Sequence, residues 1–361
     1  MTEALFTSTA PVFQIEGEDK GELARDLLRL EIDETTAGLK TLSARFIAQG
    51  PVPDEPREAQ LYLDGSIIDF GKRLDVSIGA GSCARAVFSG QISGIEASFQ
   101  EGREPEVLVF AEDKLMNLRM TRRMKTYEQM TDAQIAEAIA SEHGLSAQTD
   151  ADGPTYDVVQ QWNMSDLAFL RERARLIQAE IWFQDDALHF KTRDKRTATE
   201  LTLVQGNHII ELQARADLAH QRTKIKVSGF DASERDKIEE EATEDAILAE
   251  VSGGLTGPSI LERAFGERVS FRVREVALGG REATAWARAE MLRRARAFVT
   301  VAGTTSGSPD MVVGSRLTLE RVGQPFNGPG YYVTRVMHTY DLKNGHRTRF
   351  AAERPTVQEG S

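Results

Sequence analysis

The chain has 361 residues, 40% hydrophobic and 28% charged, which specifies two or three globular domains and excludes a disordered chain. Its 44 Lys and Arg against 56 Asp and Glu leave a net charge of -12, so the surface as a whole repels nucleic acid and anionic lipid. Cys83 is the single cysteine, which excludes an internal disulfide and a thiol-based zinc site and fits folding in a reducing cytoplasm.

Residues 5 to 110 read as short alternating segments (12–15, 42–47, 60–63, 74–78, 88–99, 107–110) separated by turn residues, the pattern of an antiparallel barrel or sandwich. Asp64-Gly65 carries a type I′ hairpin signal, and one helix, 21–29, interrupts the strands. The period changes after Glu112. Thr131 precedes a helix over 132–143 that Gly144 stops, and Ser165 caps a helix over 166–180 with Leu167, Leu170, Ala174 and Ile177 in one stripe. Segments 181–183 and 187–190 flank Asp185-Asp186 as a hairpin.

From Leu201 the strand pattern returns at 223–227, 269–276, 298–301, 316–322 and 331–340. The acidic run 236–250 reads as a solvated helix or loose loop, and 282–297 as a helix with Trp286, Ala289 and Leu292 inward. The fold class is α+β and mostly β, with a small α/β unit between two β-rich regions: 1–112, 113–195 and 196–361. A weak repeat sets residue i on i+241, placing Ile92 on Val333, Ile95 on Val336, Phe99 on Tyr340 and Glu112 on Glu353. Each copy is an apolar hairpin turning near Gly102 or Gly345.

The longest uncharged stretches, 297–309 and 322–334, fall short of the ~20 apolar residues of a membrane helix. The start, MTEALFTSTAPVF, shows no Sec-type leader. No two of the six histidines share the i, i+4 spacing of a helical zinc site. The nearest pair, His338 and His346, falls on opposite arms of a hairpin and reads as exposed or at the core edge. Residues 79–84 match G-x-G-x-x-A, yet a strand follows where a dinucleotide site needs a helix, so the segment reads as a hairpin loop. Asp185-Asp186 reads as a turn, and 150–161 lacks the twelfth-position Glu of a calcium loop. No G-x-S-x-G elbow or phosphate-binding loop occurs, and no catalytic, cofactor or metal site is expected.

The C-terminal stretch is the most specific. Residues 328–341, GPGYYVTRVMHTYD, followed by 344–354, NGHRTRFAAER, resemble the end of the phage late control D family. These are baseplate tail-hub proteins related to the hub part of the valine-glycine repeat spike proteins of type VI secretion. Residues 161–171, QWNMSDLAFLR, with Ile181-Trp182-Phe183, Phe88 to Ile92 and Glu282-Ala283 are similar to further landmarks in family order. The matched positions are Ser165, Asp166, Phe169, Leu170, Trp182, Phe183, Tyr332, Val333, Val336, His338, Gly345 and Thr348. The resemblance implies structural roles: Tyr332 and Val333 pack the second barrel, Gly345 closes its last hairpin, and Trp182 and Phe183 anchor the middle unit.

The resemblance further implies a homotrimer in which each chain supplies two tube-forming β-barrels, making a ring that joins a threefold spike to a sixfold tail tube. Its lumen would pass DNA, a tape-measure protein or cargo. Implied partners are the spike, tail tube or tube-initiator proteins and the tape-measure protein, with no specific nucleic acid, no membrane insertion and no cofactor. The sequence ends seven residues after Arg354, so the spike is expected as a separate chain. Assembly in the bacterial cytoplasm and a final place in a phage tail, tailocin or other contractile particle follow. Two alternatives are a tail-associated peptidoglycan hydrolase, which needs a positioned carboxylate or nucleophile, and a DNA-binding late-gene regulator, which predicts salt-sensitive duplex binding.

Overall fold

A computed structural model describes residues 5–7, 9–51, 58–79, 84–231, 234–251 and 253–358. Apolar and polar residues alternate along Thr41–Ile47, Arg73–Ile78 and Gly345–Arg354, and each buries one face. These belong to a sheet of thirteen strands. Its spine runs Ile209–Ala216, Val299–Ser306, Gly345–Arg354, Gly328–Asp341, Leu27–Thr35, Thr41–Ile47, Glu106–Glu112, Arg85–Ser98, Arg73–Ile78 and Val12–Ile15. Strand 27–35 pairs with strand 328–341, so the two β-rich regions share one continuous ladder.

Three expectations are corrected. The early helix stops at Asp26, and strand Leu27–Thr35 begins there. A register shift between Leu27 and Arg29 puts Leu27 and Leu30 on the same buried side, which imitates the i, i+3 spacing of a helix. Asp64-Gly65 sits in a loop rather than a hairpin. Only Gly65 of the two takes a positive φ, and Asp64 Oδ1 accepts from the Ser66 amide at 2.9 Å and hydroxyl at 2.7 Å. The acidic run forms strand Asp236–Ala242 and a short helix, Asp245–Leu248. Lys224 and Lys226 of the neighbouring strand, Lys224–Asp231, each reach a glutamate at 3.3 Å, Glu241 and Glu239. Those lysines supply the cross-strand charge that an acidic strand needs.

In the middle of the chain, Thr131 and Gln134 form a reciprocal capping box on helix Asp132–Glu142. Helix Asp166–Ile177 ends at Gln178 in the left-handed region, short of the expected 180. Asp185 and Asp186 both have positive φ and turn the hairpin between Ala179–Gln184 and Ala187–Thr192. The core under these elements also takes in Ile225, Val227, Ile238, Ala277, Trp286 and Met291. Strands 224–231, 236–242 and Val269–Ala277 and helix Gly280–Arg296 therefore pack on the middle unit. Separate apolar cores fill the first β region, from Phe13 to Ala111, and the last, from Leu201 to Ala352.

The repeat is deeper than four matching residues. Ile92 pairs with Ala111, Ile95 with Val109 and Ser98 with Glu106, while Val333 pairs with Ala352, Val336 with Phe350 and Thr339 with Arg347, an offset of 241 throughout. Register shifts fall at equivalent places, between Ile92 and Gly94 and between Val333 and Arg335. The shift at Leu27/Arg29 recurs at Ile209/Glu211. Five strands (27–35, 41–47, 106–112, 85–98, 73–78) thus correspond to 209–216, 299–306, 345–354, 328–341 and Arg316–Glu320. Gly345 closes the second hairpin with φ +64°. Gly345→Val, which forces a β-branched residue into that conformation, should lower stability by about 1–2 kcal/mol, read from thermal melts.

Candidate assembly site

The three regions meet at a buried charged network. Glu180, at the start of strand 179–184, accepts the Tyr332 hydroxyl at 2.6 Å and Arg196 Nη1 at 3.1 Å. Arg196 also donates to Glu34 Oε1 at 2.9 Å, and Lys40 reaches the same carboxylate at 2.9 Å. Arg193 pairs with Glu353 at 2.5 Å and lies over the Tyr332 ring at 4.0 Å, where Arg316 also lies at 4.4 Å. Trp182 stacks on His189 and carries the Arg196 guanidinium at 4.3 Å. Burial alone would raise the Glu34 carboxyl, but Lys40 and Arg196 hold it below the usual carboxylate range. Burial, reinforced by the Glu180 carboxylate, pushes the Tyr332 hydroxyl well up.

The family-matched residues occupy several places. Ser165 accepts from the Ala168 amide at 3.2 Å and caps its helix. Asp166 is fully buried and accepts from Gln161 Nε2 at 2.8 Å, His143 Nε2 at 2.8 Å and Arg123 Nε at 2.9 Å. Phe169 stacks on Tyr127, Leu170 is buried in the same core, and Phe183 lies under Lys114. Val333 and Val336 belong to the last core, where the tyrosine is Tyr331; Tyr332 faces the middle unit instead. Of the matched residues, Trp182 and Tyr332 lie at the junction, each against one of its arginines.

His338 and His346 depart from their expected exposed or edge positions. They are buried, with His338 Nδ1 and His346 Nε2 3.3 Å apart, beside Thr348 Oγ1 and the Thr7 carbonyl. Burial is the main cause that pushes both down, helped for His338 by its neighbour; His346 falls to about 4. Among the described residues, no group of three or more His, Cys, Asp or Glu is arranged to hold a metal ion. Residues 80–83 of the glycine-rich segment, Cys83 included, lie outside the described residues.

Sequence reasoning missed Glu34, Lys40, Glu180, Arg193, Arg196, Arg316 and Glu353. The available signal was charge inside apolar surroundings, as where Glu180 abuts Ile181-Trp182-Phe183.

Among the open edges of the sheet in the described residues, two are related through the repeat. Strand 209–216 ends the sheet with one side unpaired. Strand 85–98 is paired on both sides only as far as Ile92, so one side of 93–98 is free.

This fold is similar to that of solved phage tail proteins. The 43 kDa tail protein of prophage MuSo2 from Shewanella oneidensis matches with a TM-score of 0.65 at 14% identity, over 96% of this chain and 98% of its own. A tail protein from Neisseria meningitidis MC58 gives 0.64 at 12% identity, over 96% of each chain. The E. coli c3393 protein, a type VI secretion system component, gives 0.56 at 13% identity over 97% of this chain and 79% of its own. At these identities the likeness is one of fold, and the expected relationship to tail proteins holds at that level. The chain belongs to the Alg8 N-terminal domain family, whose model matches residues 58–341. No curated protein sequence matches it. No helix among the described residues is long and apolar enough to cross a membrane.

Proposed function

We propose that the chain is a structural hub subunit of a contractile tail or injection particle. In this reading it divides at 1–112, 113–195 and 196–361, and three copies close into a ring whose six β-barrel units adapt a threefold spike to a sixfold tube. The ring leaves a lumen for DNA, a tape-measure protein or cargo, and the role is mechanical rather than catalytic. The tail-protein fold supports this reading.

The observation that carries it is the pair of open edges. Within the chain, the C-terminal half of strand 328–341 is completed by strand 27–35, with Met337 opposite Asp33, His338 opposite Ile32 and Tyr340 opposite Leu30. The matching half of the first unit, 93–98, lacks that neighbour, and the strand equivalent to 27–35, namely 209–216, lacks a strand to complete. Carrying the intrachain register across with the repeat's offsets sets Ile95 of one copy opposite Ala216 of the next, Glu96 opposite Arg215 and Phe99 opposite Leu212. Opposite charges and apolar side chains fall together, as in productive strand pairs. Such a head-to-tail contact closes a ring when its rotation fits, and it removes both exposed edges.

Light scattering of the purified chain should give three times 40.0 kDa. Glu96→Arg or Arg215→Glu alone should give monomer, and the double exchange should restore the trimer. Single exchanges that leave the mass unchanged would remove this interface.

A further inference from the structure

The repeated units keep their buried positions and diverge on the face turned away from the core. Along strand 106–112 that face carries Glu106, Leu108, Phe110 and Glu112; strand 345–354 carries Arg347, Arg349, Ala351 and Glu353 at the equivalent places. The intervening residues, Val107, Val109 and Ala111 against Thr348, Phe350 and Ala352, are all 4% exposed or less. Folding therefore constrains the buried row, and it does not require the reversal of charge on the outer one.

Charges on the rest of this face are mostly paired. Arg45 holds Glu106 at 2.5 Å, Arg119 holds Glu112 at 2.5 Å, Arg335 holds Asp33 at 2.8 Å, and Arg29 pairs with Glu31. The first unit's half is a concavity of about 450 Å³ lined by Arg29, Glu31, Ser43, Arg45, Leu108 and Phe110. Arg347 and Arg349 have no carboxylate partner among the described residues. Thr339 and Ser306 flank Arg347 in register, and Met337 and Thr304 flank Arg349.

We propose that the outer face of strand 345–354 docks an extended acidic segment of a partner protein through Arg347 and Arg349. Alternate side chains on one side of a strand leave the backbone about 7 Å apart, twice the rise per residue. An extended peptide with carboxylates at alternate positions repeats at the same spacing, so each arginine meets one carboxylate. The bordering hydroxyls of Ser306 and Thr304 add hydrogen-bonding capacity. A nucleic-acid duplex is a broad cylinder that would lie mostly over the neutralised pairs of Glu31, Asp33 and Glu112, so the two unpaired arginines complement a narrow acidic strand better. The proposal goes beyond the hub reading, because the face is open on a single chain.

The test is fluorescence anisotropy with a labelled peptide of alternating Glu and Ser, titrated with the full chain at low salt. The wild type should bind it, and an Arg347→Gln/Arg349→Gln double variant should bind about tenfold more weakly, with its melting temperature and mass unchanged. Equal affinity of wild type and double variant would overturn the proposal. A duplex oligonucleotide that outcompetes the peptide would overturn it too. Light scattering on the same samples separates this result from the hub reading: a monomer that binds the peptide sustains the proposal while the ring fails.

Discussion

Replacing Glu180 by alanine should destabilise the protein by about 3–5 kcal/mol, the usual result of removing one member of a buried ion pair. The carboxylate accepts from both Tyr332 and Arg196, and its loss leaves a buried hydroxyl and a buried guanidinium short of a partner. Arg196 would keep Glu34, but Lys40 already contributes charge to that carboxylate. The loss is a large share of the ~5–15 kcal/mol that holds a typical domain folded. Urea unfolding of Glu180→Ala should show it in the midpoint, and Glu180→Gln, which keeps an acceptor, should lose less. As a control, Arg25→Gln, which removes the pair that exposed Arg25 makes with Asp26, should change stability by no more than about 1 kcal/mol. A Glu180→Ala loss as small as the control's would show that the junction does not hold the three regions together.

The second large effect is an acid sensitivity carried by the buried imidazoles. The folded chain holds His346 at about 4, against an ordinary value of 6.5, so the fold favours its neutral form. The unfolded chain binds the extra proton, and the stabilisation is complete above pH 6.5 and lost as pH falls toward 4. For His346 that amounts to about 3 kcal/mol. The surroundings give a protonated ring little relief. Arg347 and Lys40 are the basic groups near the pair, and its polar contacts are the Thr7 carbonyl, the Met311 backbone and Thr348.

Asp113 acts in the opposite sense, because burial pushes it up to about 6 and its protonation favours the fold as pH falls below that value. The decisive measurement is therefore a difference. Between pH 7 and 4 the wild type should lose about 3 kcal/mol more than His346→Asn, measured by urea unfolding at each pH. Parallel curves would show that His346 takes up no proton on unfolding.

Alternation alone revealed most strands, because a half-buried strand writes its two faces into consecutive residues. It failed at 27–35, where a bulge displaced the pattern by one residue, and at 236–242, whose neutralising lysines lie on another strand. The capped helices were legible because Thr131 with Gln134 and Ser165 are local signals. The junction was not. Glu34, Glu180 and Tyr332 are separated by 146 or more residues, and nothing in the neighbourhood of any one announces the others. The histidine pair was found but misplaced, since polarity argues for a surface and only the packed hairpin shows both rings inside. The open edges required the fold, because an unpaired backbone leaves no mark in the side chains.

Strand 27–35 emerges from the ribosome long before strand 328–341, its partner in the ladder. At ~5–20 residues per second the wait is roughly 15–60 s, far longer than the formation of a hairpin. During that time the nascent N-terminal half exposes the side of strand 27–35 that the C-terminal hairpin later covers. Full pairing is therefore a late, long-range event, with slow folding and a window in which neighbouring nascent chains can capture one another. Yield in cells should depend on translation speed and on chaperones that shield extended backbone.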